Sequence, residues 1–362
     1  MKKISSTLCL LSCCTALPAF AQSSVTLYGV MDVSIQTGNT GGSPLTRVDS
    51  SNVVPTVWGM KGSEDLGGGY RAVFQLEDGF NPTTGTIAGT GALFGREAWV
   101  GLGGPFGQVQ VGLNYTPFFT TLITYAQGAI STWGWGNAAN NYSFLSTTRS
   151  NNSVRYNSPT IAGVTLRAIY SLGSNGSTTL PSALGNTFSV GLNYHVNNFS
   201  MDVDYLQQSA ATATPVDATS STVTGNYVMA GMLYDFGWLE PAILIQTHRG
   251  GQNVAASSTS TFQNPDNDFY DLSLLVRDIG PGTFLLDFGQ YKRLGNSAGD
   301  STSMAIRYDY PLSKRTALYA GVGHVRNGSA STFTMSGSQG AGFPANPGAS
   351  VTSFVLGMVT RF

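Results

Sequence analysis

The side chains able to do chemistry are few and widely spaced. His195, His248 and His324 are the only histidines, and histidine is the side chain whose ordinary pKa lies nearest neutrality. His195 falls at a turn beside Val196-Asn197-Asn198, and neither a serine nucleophile motif nor a carboxylate pattern accompanies the other two. Asp266, Asn267 and Asp268 offer oxygens to a divalent cation, but a short acidic run of this kind reads as a solvated loop. The sequence has no zinc, phosphate-loop or dinucleotide motif, so it implies no catalytic residue, no metal and no cofactor. It does carry isolated charges set in alternating polar and apolar residues: Lys61, Arg71, Glu77, Arg96, Arg155, Asp202, Asp204, Arg307 and Asp309. Charges so placed act through their field on whatever passes them, not by making bonds.

Strands must position these charges. Val25, Leu27, Met31, Val33 and Ile35 fall on one face of an extended segment, with Thr26, Tyr28, Asp32 and Ser34 on the other. Ala72, Phe74 and Leu76 oppose Arg71, Gln75 and Glu77 in the same way. Phe199, Met201, Val203 and Tyr205 oppose Ser200, Asp202 and Asp204, and Met304, Ile306 and Tyr308 oppose Arg307 and Asp309. Such period-two alternation predicts strands with one apolar face. Sixteen are predicted, near 25–35, 56–61, 70–79, 95–101, 106–113, 152–157, 163–171, 187–194, 199–206, 226–234, 239–248, 268–276, 282–291, 302–309, 315–325 and 351–362. A soluble sandwich joins sheets of about 4 to 6 strands, so this number points elsewhere.

Long loops rich in Gly, Ser, Thr and Asn alternate with mostly tight turns such as Gly103-Gly104-Pro105, Val196-Asn197-Asn198, Asp235-Phe236-Gly237 and Pro311-Leu312-Ser313. This is the layout of an all-β, 16-stranded antiparallel transmembrane β-barrel with one looped rim and one trimmed rim. A closed barrel pairs every backbone polar group in lipid without an apolar helix. Sixteen strands also enclose an aqueous channel, whereas about eight are filled by side chains. The connection 114–151 is the longest, and loops beyond about 12 to 15 residues are usually functional or disordered.

Composition agrees. Charged residues make up 10% of the chain, against roughly 25% in ordinary soluble domains. The 45 glycines, 16 tyrosines and 19 phenylalanines favour strands and turns over helices. With 18 basic and 19 acidic residues there is no positive field for nucleic acid, which is excluded as a partner. Lys2 and Lys3, the apolar run Ile4 to Leu17 and Ala19-Phe20-Ala21 read as a secretory signal peptide, 1–21, cleaved between Ala21 and Gln22. The barrel domain is then 22–362. Cys9, Cys13 and Cys14 all lie in the signal, so the mature chain has no thiol, and losing the two lysines leaves 16 basic against 19 acidic residues, net −3.

Several segments are specific enough to show a resemblance. Ser24 to Asp32 (SVTLYGVMD), Trp58 to Gly69 (WGMKGSEDLGGG) with Phe74 to Glu77, and Phe94 to Leu102 (FGREAWVGL) resemble the general trimeric porins of betaproteobacterial and neisserial type. So do Asn152 to Pro159 (NSVRYNSP), Leu312 to Thr316 (LSKRT) and the terminal Arg361-Phe362, in order across the whole mature chain. The resemblance implies a homotrimer of barrels in the Gram-negative outer membrane, in contact with lipid and lipopolysaccharide, whose third outer loop folds inward. That loop is 114–151 here. It implies a passive pore for ions and small hydrophilic solutes, and Phe362 looks like the signal read by the barrel-assembly machinery. Position by position, Glu77 and Arg96 fall on pore residues of the family, and Arg149 or Arg155, which share inward parity, supplies another basic group. Lys61, Arg71, Asp202, Asp204, Arg307 and Asp309 are the other charges expected to face the lumen.

The chain departs from the family pattern where basic residues are replaced by Val57, Leu113 and Val359, and in having no Asp or Glu between Asn114 and Ser150. A weak anion preference follows. Phe118, Phe119, Tyr125, Trp133, Trp135, Tyr142 and Phe144 on the same loop support an alternative, a substrate-specific channel for sugars or organic acids with an aromatic constriction. A secreted lectin or adhesin sandwich is the reading without a channel.

Overall fold

The computed structural model describes residues 24–39, 44–88, 92–128, 130, 134–142, 148–173, 177–181, 183–211, 220–250, 266–337, 342–343 and 345–362. The expected cleavage site at Ala21 and Gln22 lies outside them, as do Trp133 and Phe144. The first strands are β1 (Ser24–Asn39), β2 (Pro44–Ser50), β3 (Val57–Gly67), β4 (Tyr70–Asn81), β5 (Thr86–Ile87), β6 (Glu97–Gly104) and β7 (Gly107–Tyr115). Two helices follow, α1 (Pro117–Tyr125) and α2 (Ala138–Tyr142). After them come β8 (Arg149–Asn157), β9 (Val164–Ser171), β10 (Thr187–Val196), β11 (Phe199–Ala211) and β12 (Thr222–Tyr234). The chain ends with β13 (Leu239–Arg249), β14 (Asn267–Ile279), β15 (Gly282–Arg293), β16 (Ser301–Pro311), β17 (Thr316–Asn327) and β18 (Val351–Arg361).

Neighbouring strands pair antiparallel in chain order, and β1 closes the ring on β18 with Val30 opposite Arg361 and Asn39 opposite Thr352. The wall is a closed 16-stranded barrel. β2 and β3 together form one staple of that wall, since β1 pairs with β3 along Ser24–Val30 and with β2 along Val33–Asn39. β5 is only a two-residue extension of the β4 hairpin. The second strand, expected at 56–61, therefore begins at residue 44 and is broken at 51–56. Asp32 causes the break: its carboxylate accepts the amides of Val53 (2.6 Å) and Val54 (2.9 Å) and the hydroxyl of Tyr319 (2.6 Å). The bent residues there bond to a side chain in place of the neighbouring strand.

The predicted alternation is the inside and outside of this barrel. Val25, Leu27, Val203, Ile243, Leu272, Phe288, Met304 and Leu356 project outward and are exposed, the apolar band that lipid requires. Ser34, Gln36, Asp202, Asp204, Ser273 and Ser303 project inward and are buried. Not all of the inner wall is polar. Leu206, Tyr227, Met229, Leu244 and Phe269 form an apolar patch on β11–β14, and Tyr319, Val325, Val355 and Val359 form a second on β17 and β18. Apolar side chains turned inward need a cover, and the segment after β7 supplies it.

Candidate pore constriction

β7 ends at Tyr115, and Thr116 starts α1 by accepting the amide of Phe119 on its hydroxyl (3.1 Å), with Pro117 at the first helical position. The helix lies inside the barrel along β9–β13. Its Phe118, Phe119, Leu122 and Tyr125 bury against the apolar patch of Leu206, Tyr227, Met229, Leu244 and Phe269. Gly231 makes this approach possible, because a Cβ there would lie 2.3 Å from the Tyr125 ring. The chain then crosses to β16–β18, returns as α2 against β14 and β15, and reaches β8. A Cβ on Gly289 would lie 2.0 Å from that of Ala138, so this wall too is bare where the loop meets it.

Polar contacts fix the path. Thr121 donates to Asp204, and Arg167 donates to Asp202 and, at 3.1 Å, to the Thr121 hydroxyl. Asp287 accepts the amide of Ala138 (2.8 Å) and the side chain of Asn137 (3.0 Å), and Asp271 accepts the amide of Ala139 (3.2 Å). Two carboxylates thus hold the first turn of α2. Arg307 grips Asp309 through Nε (2.8 Å) and Nη2 (2.9 Å) and donates to the carbonyl of Trp135, while Asp309 accepts the amide of Ile130 at 3.3 Å. The amide of Trp135 donates to the carbonyl of Asn52 in the β2–β3 break (2.7 Å). Burial raises the Tyr125 hydroxyl above its ordinary pKa and pushes that of Tyr142 up to about 12. Both stay neutral and bond to Ser200 (2.9 Å) and Ser301 (3.0 Å).

The charged wall on β1, β3, β4 and β6–β8 is built differently. Glu77 accepts Tyr28 Oη (2.8 Å) on one oxygen and Arg96 Nε (2.7 Å) on the other. Arg96 also donates to Tyr115 Oη at 2.7 Å. Glu97 stands opposite Glu77 in the strand register and accepts Gln75 Nε2 and, at 3.2 Å, Trp99 Nε1. Alternation alone requires Arg96 or Glu97 to face away. Both face the cluster because β6 begins at Glu97, which leaves Arg96 outside the regular strand and able to fold back. Arg149 lies over the Tyr115 ring (4.7 Å) and donates to its hydroxyl (3.1 Å). Its odd numbering does not put it there. A bulge near Asn152 (φ +52°) adds a residue, so Ser150 and Ser153 both face inward, and Arg149 reaches Tyr115 from the strand end. Arg155 donates to the Tyr115 carbonyl (3.0 Å) and toward the Thr120 hydroxyl (3.5 Å), and among the described residues it forms no ion pair.

The remaining expected charges separate from this cluster. Lys61 lies nearer the turn rim, its ammonium 5.4 Å from the centre of the Tyr28 ring. Arg71 is exposed opposite Asp65, and six residues of strand, about 20 Å, separate it from Glu77. Asp202, Asp204, Arg307 and Asp309 point inward but sit beneath the loop as its anchors. Tyr28, Glu97, Tyr115, Arg167, Asp271 and Asp287 also act here. Alternation marks Asp271 and Asp287 as inward, opposite Leu272 and Leu286, and Glu97 as partner of Glu77. Beyond Tyr115, which belongs to the charged cluster, the described loop aromatics Phe118, Phe119, Tyr125, Trp135 and Tyr142 are buried against the wall and line no open aromatic track.

A family model for the Gram-negative porin matches residues 6–330. The chain belongs to this family. This porin is 29% identical to an outer membrane porin protein of Bordetella pertussis, over 85% of its own length and 90% of that protein's. It is 27% identical to outer membrane porin protein 32 of Delftia acidovorans, over 87% of each. Its fold matches the anion-selective porin from Comamonas acidovorans with a TM-score of 0.79 at 22% identity, covering 94% of this chain and 100% of that one. It also matches the trimer form of the Vibrio cholerae outer membrane protein OmpT with a TM-score of 0.69 at 14% identity, over 94% and 99% of the two chains. The protein is a general porin of the Gram-negative outer membrane, a channel and not an enzyme.

Proposed function

We propose that this porin is a passive, water-filled pore for ions and small hydrophilic solutes, narrowed where the 114–151 loop passes Glu77, Arg96, Glu97, Arg149 and Arg155. One observation carries the reading: the charged side chains of the β1–β8 wall meet a loop that has no acid, while Phe118, Tyr125 and Tyr142 of the loop are buried against the opposite wall. Glu77 neutralises Arg96 at 2.7 Å, Arg155 forms no ion pair among the described residues, and Glu97 adds an acid. This balance supports a weak anion preference, in keeping with the anion-selective porin named among its structural neighbours. Lys61 and Arg71 lie beyond the narrow zone and tune access from the turn rim.

The same reading makes the mature protein a homotrimer beginning at Gln22, surrounded by lipid and lipopolysaccharide, with Phe362 as the assembly signal. The trimer form of a neighbouring fold supports it. The test is liposome swelling together with reversal potentials across a salt gradient. Small neutral sugars should enter at rates that fall smoothly with size, with a reversal potential modestly toward the anion. Saturable uptake of one sugar or acid, or strong cation selectivity, would contradict it.

A further inference from the structure

The hairpin between β16 and β17 turns at the rim of tight connections, where Leu312 and Ser313 amides both bond to the Thr316 carbonyl (2.9 and 3.0 Å). Next to it, under Ile130 of the inward loop, lies a cavity of about 390 Å³ whose lining includes Lys314, Arg315, Arg361, Asp309, Thr283 and Thr316. Strand register gathers the cations. Thr316 pairs with Thr360, and the Arg361 amide donates to the Arg315 carbonyl at 2.9 Å. Arg361 continues the inward series of Val355 and Val359 and donates to the Ile130 carbonyl, and Arg315 precedes the inward Ala317 and Tyr319.

These charges are not balanced from within. Among the described residues Lys314, Arg315 and Arg361 form no ion pair. The one carboxylate in the lining, Asp309, is occupied on both oxygens by Arg307. Three cations in one cavity repel each other and focus anions. Arginine guanidinium matches phosphate and carboxylate oxygens in two-pronged contacts, and the volume equals about a dozen waters. A monovalent ion answers one cation only, whereas a compact ligand with several anionic groups answers all three.

We propose that this cavity binds compact polyanions, molecules with two or more adjacent phosphate or carboxylate groups, at the turn-side mouth of the pore. The proposal rests on the pore reading only for the route by which the ligand arrives. Calorimetric titration of the folded, detergent-solubilised protein with inorganic pyrophosphate, citrate and acetate tests the site without conductance. Pyrophosphate or citrate should bind at least ten-fold more tightly than acetate, and whichever is the tighter identifies phosphate or carboxylate as the preferred group. Lys314→Gln with Arg315→Gln should weaken polyanion binding ten-fold or more, and Lys314→Gln alone, at an exposed turn position, should weaken it in part. Equal affinity in protein and variants, or acetate binding as tightly as both polyanions, would overturn the proposal. In a planar bilayer, pyrophosphate should interrupt the current at lower concentration from the turn side than from the loop side. A protein that binds pyrophosphate but carries no current would refute the pore reading and leave the site standing.

Discussion

Removing the Arg96 guanidinium should do more than delete one positive charge from the pore wall. Its Nε lies 2.7 Å from a Glu77 oxygen, with both side chains about nine-tenths covered, so from a distance the two act as a neutral pair. Arg96→Ala converts that pair into a bare carboxylate beside Glu97. A unit charge about 4 Å from a passing ion changes its energy by about 1 kcal/mol in a water-like medium, or roughly five-fold in occupancy. Anions and cations shift in opposite senses, so the permeability ratio should move toward cations by up to roughly twenty-five-fold at low salt, and by much less at 1 M, where the screening length falls to about 3 Å. Glu77→Gln should move the ratio toward anions by a comparable factor, and the double variant should return to the unmodified value. The assay is the reversal potential across a ten-fold KCl gradient, with thermal unfolding in parallel, because breaking a buried pair typically costs about 3–5 kcal/mol. If both single variants shift the same way, or the double variant stays with Arg96→Ala, the pairing does not govern selectivity.

Arg155→Ala removes a guanidinium with no ion pair among the described residues, and reversal potentials should show loss of the anion preference with little change in melting temperature. Arg307→Ala frees both Asp309 and the Trp135 carbonyl, so the loop anchor should weaken by about 3–5 kcal/mol; increased current noise and a lower melting temperature would be its signature, and unchanged noise would argue against anchoring. Gly29→Val should swing aside the exposed Phe362 ring, which lies 2.1 Å from where a Cβ would stand, and leave the β1–β18 seam closed, so heat-modifiable migration on a gel should still show folded protein. Mass measurement of the protein from outer membranes should give a chain beginning at Gln22.

Much of the barrel was legible because lipid outside and water inside impose period two on every strand. Leu27, Val203 and Met304 are exposed on the outside, with Asp32, Asp204 and Arg307 buried inside, as alternation requires. The extent of β2 was less legible: Val48 stands on the outer face level with Ile35 and Leu356, but Thr46 on the same face is polar, so residues 44–50 alternate too little to mark a strand. The charged wall was only half legible. Glu77 follows from parity, but the position of Arg149 depends on a bulge and that of Arg96 on where β6 starts, neither of which alternation encodes. The anchoring role of Asp202, Asp204, Arg307 and Asp309 was hidden for a different reason. Strand patterning says which side chains point inward, and only the path of the loop decides which of them it covers.

Single-channel recording from folded, reconstituted protein tests the central claim most directly. An open barrel narrowed by an anchored loop should give discrete current steps, each with a linear current–voltage relation, in simple potassium chloride with no added substrate. Insertion of verified folded protein without any conductance step would contradict it.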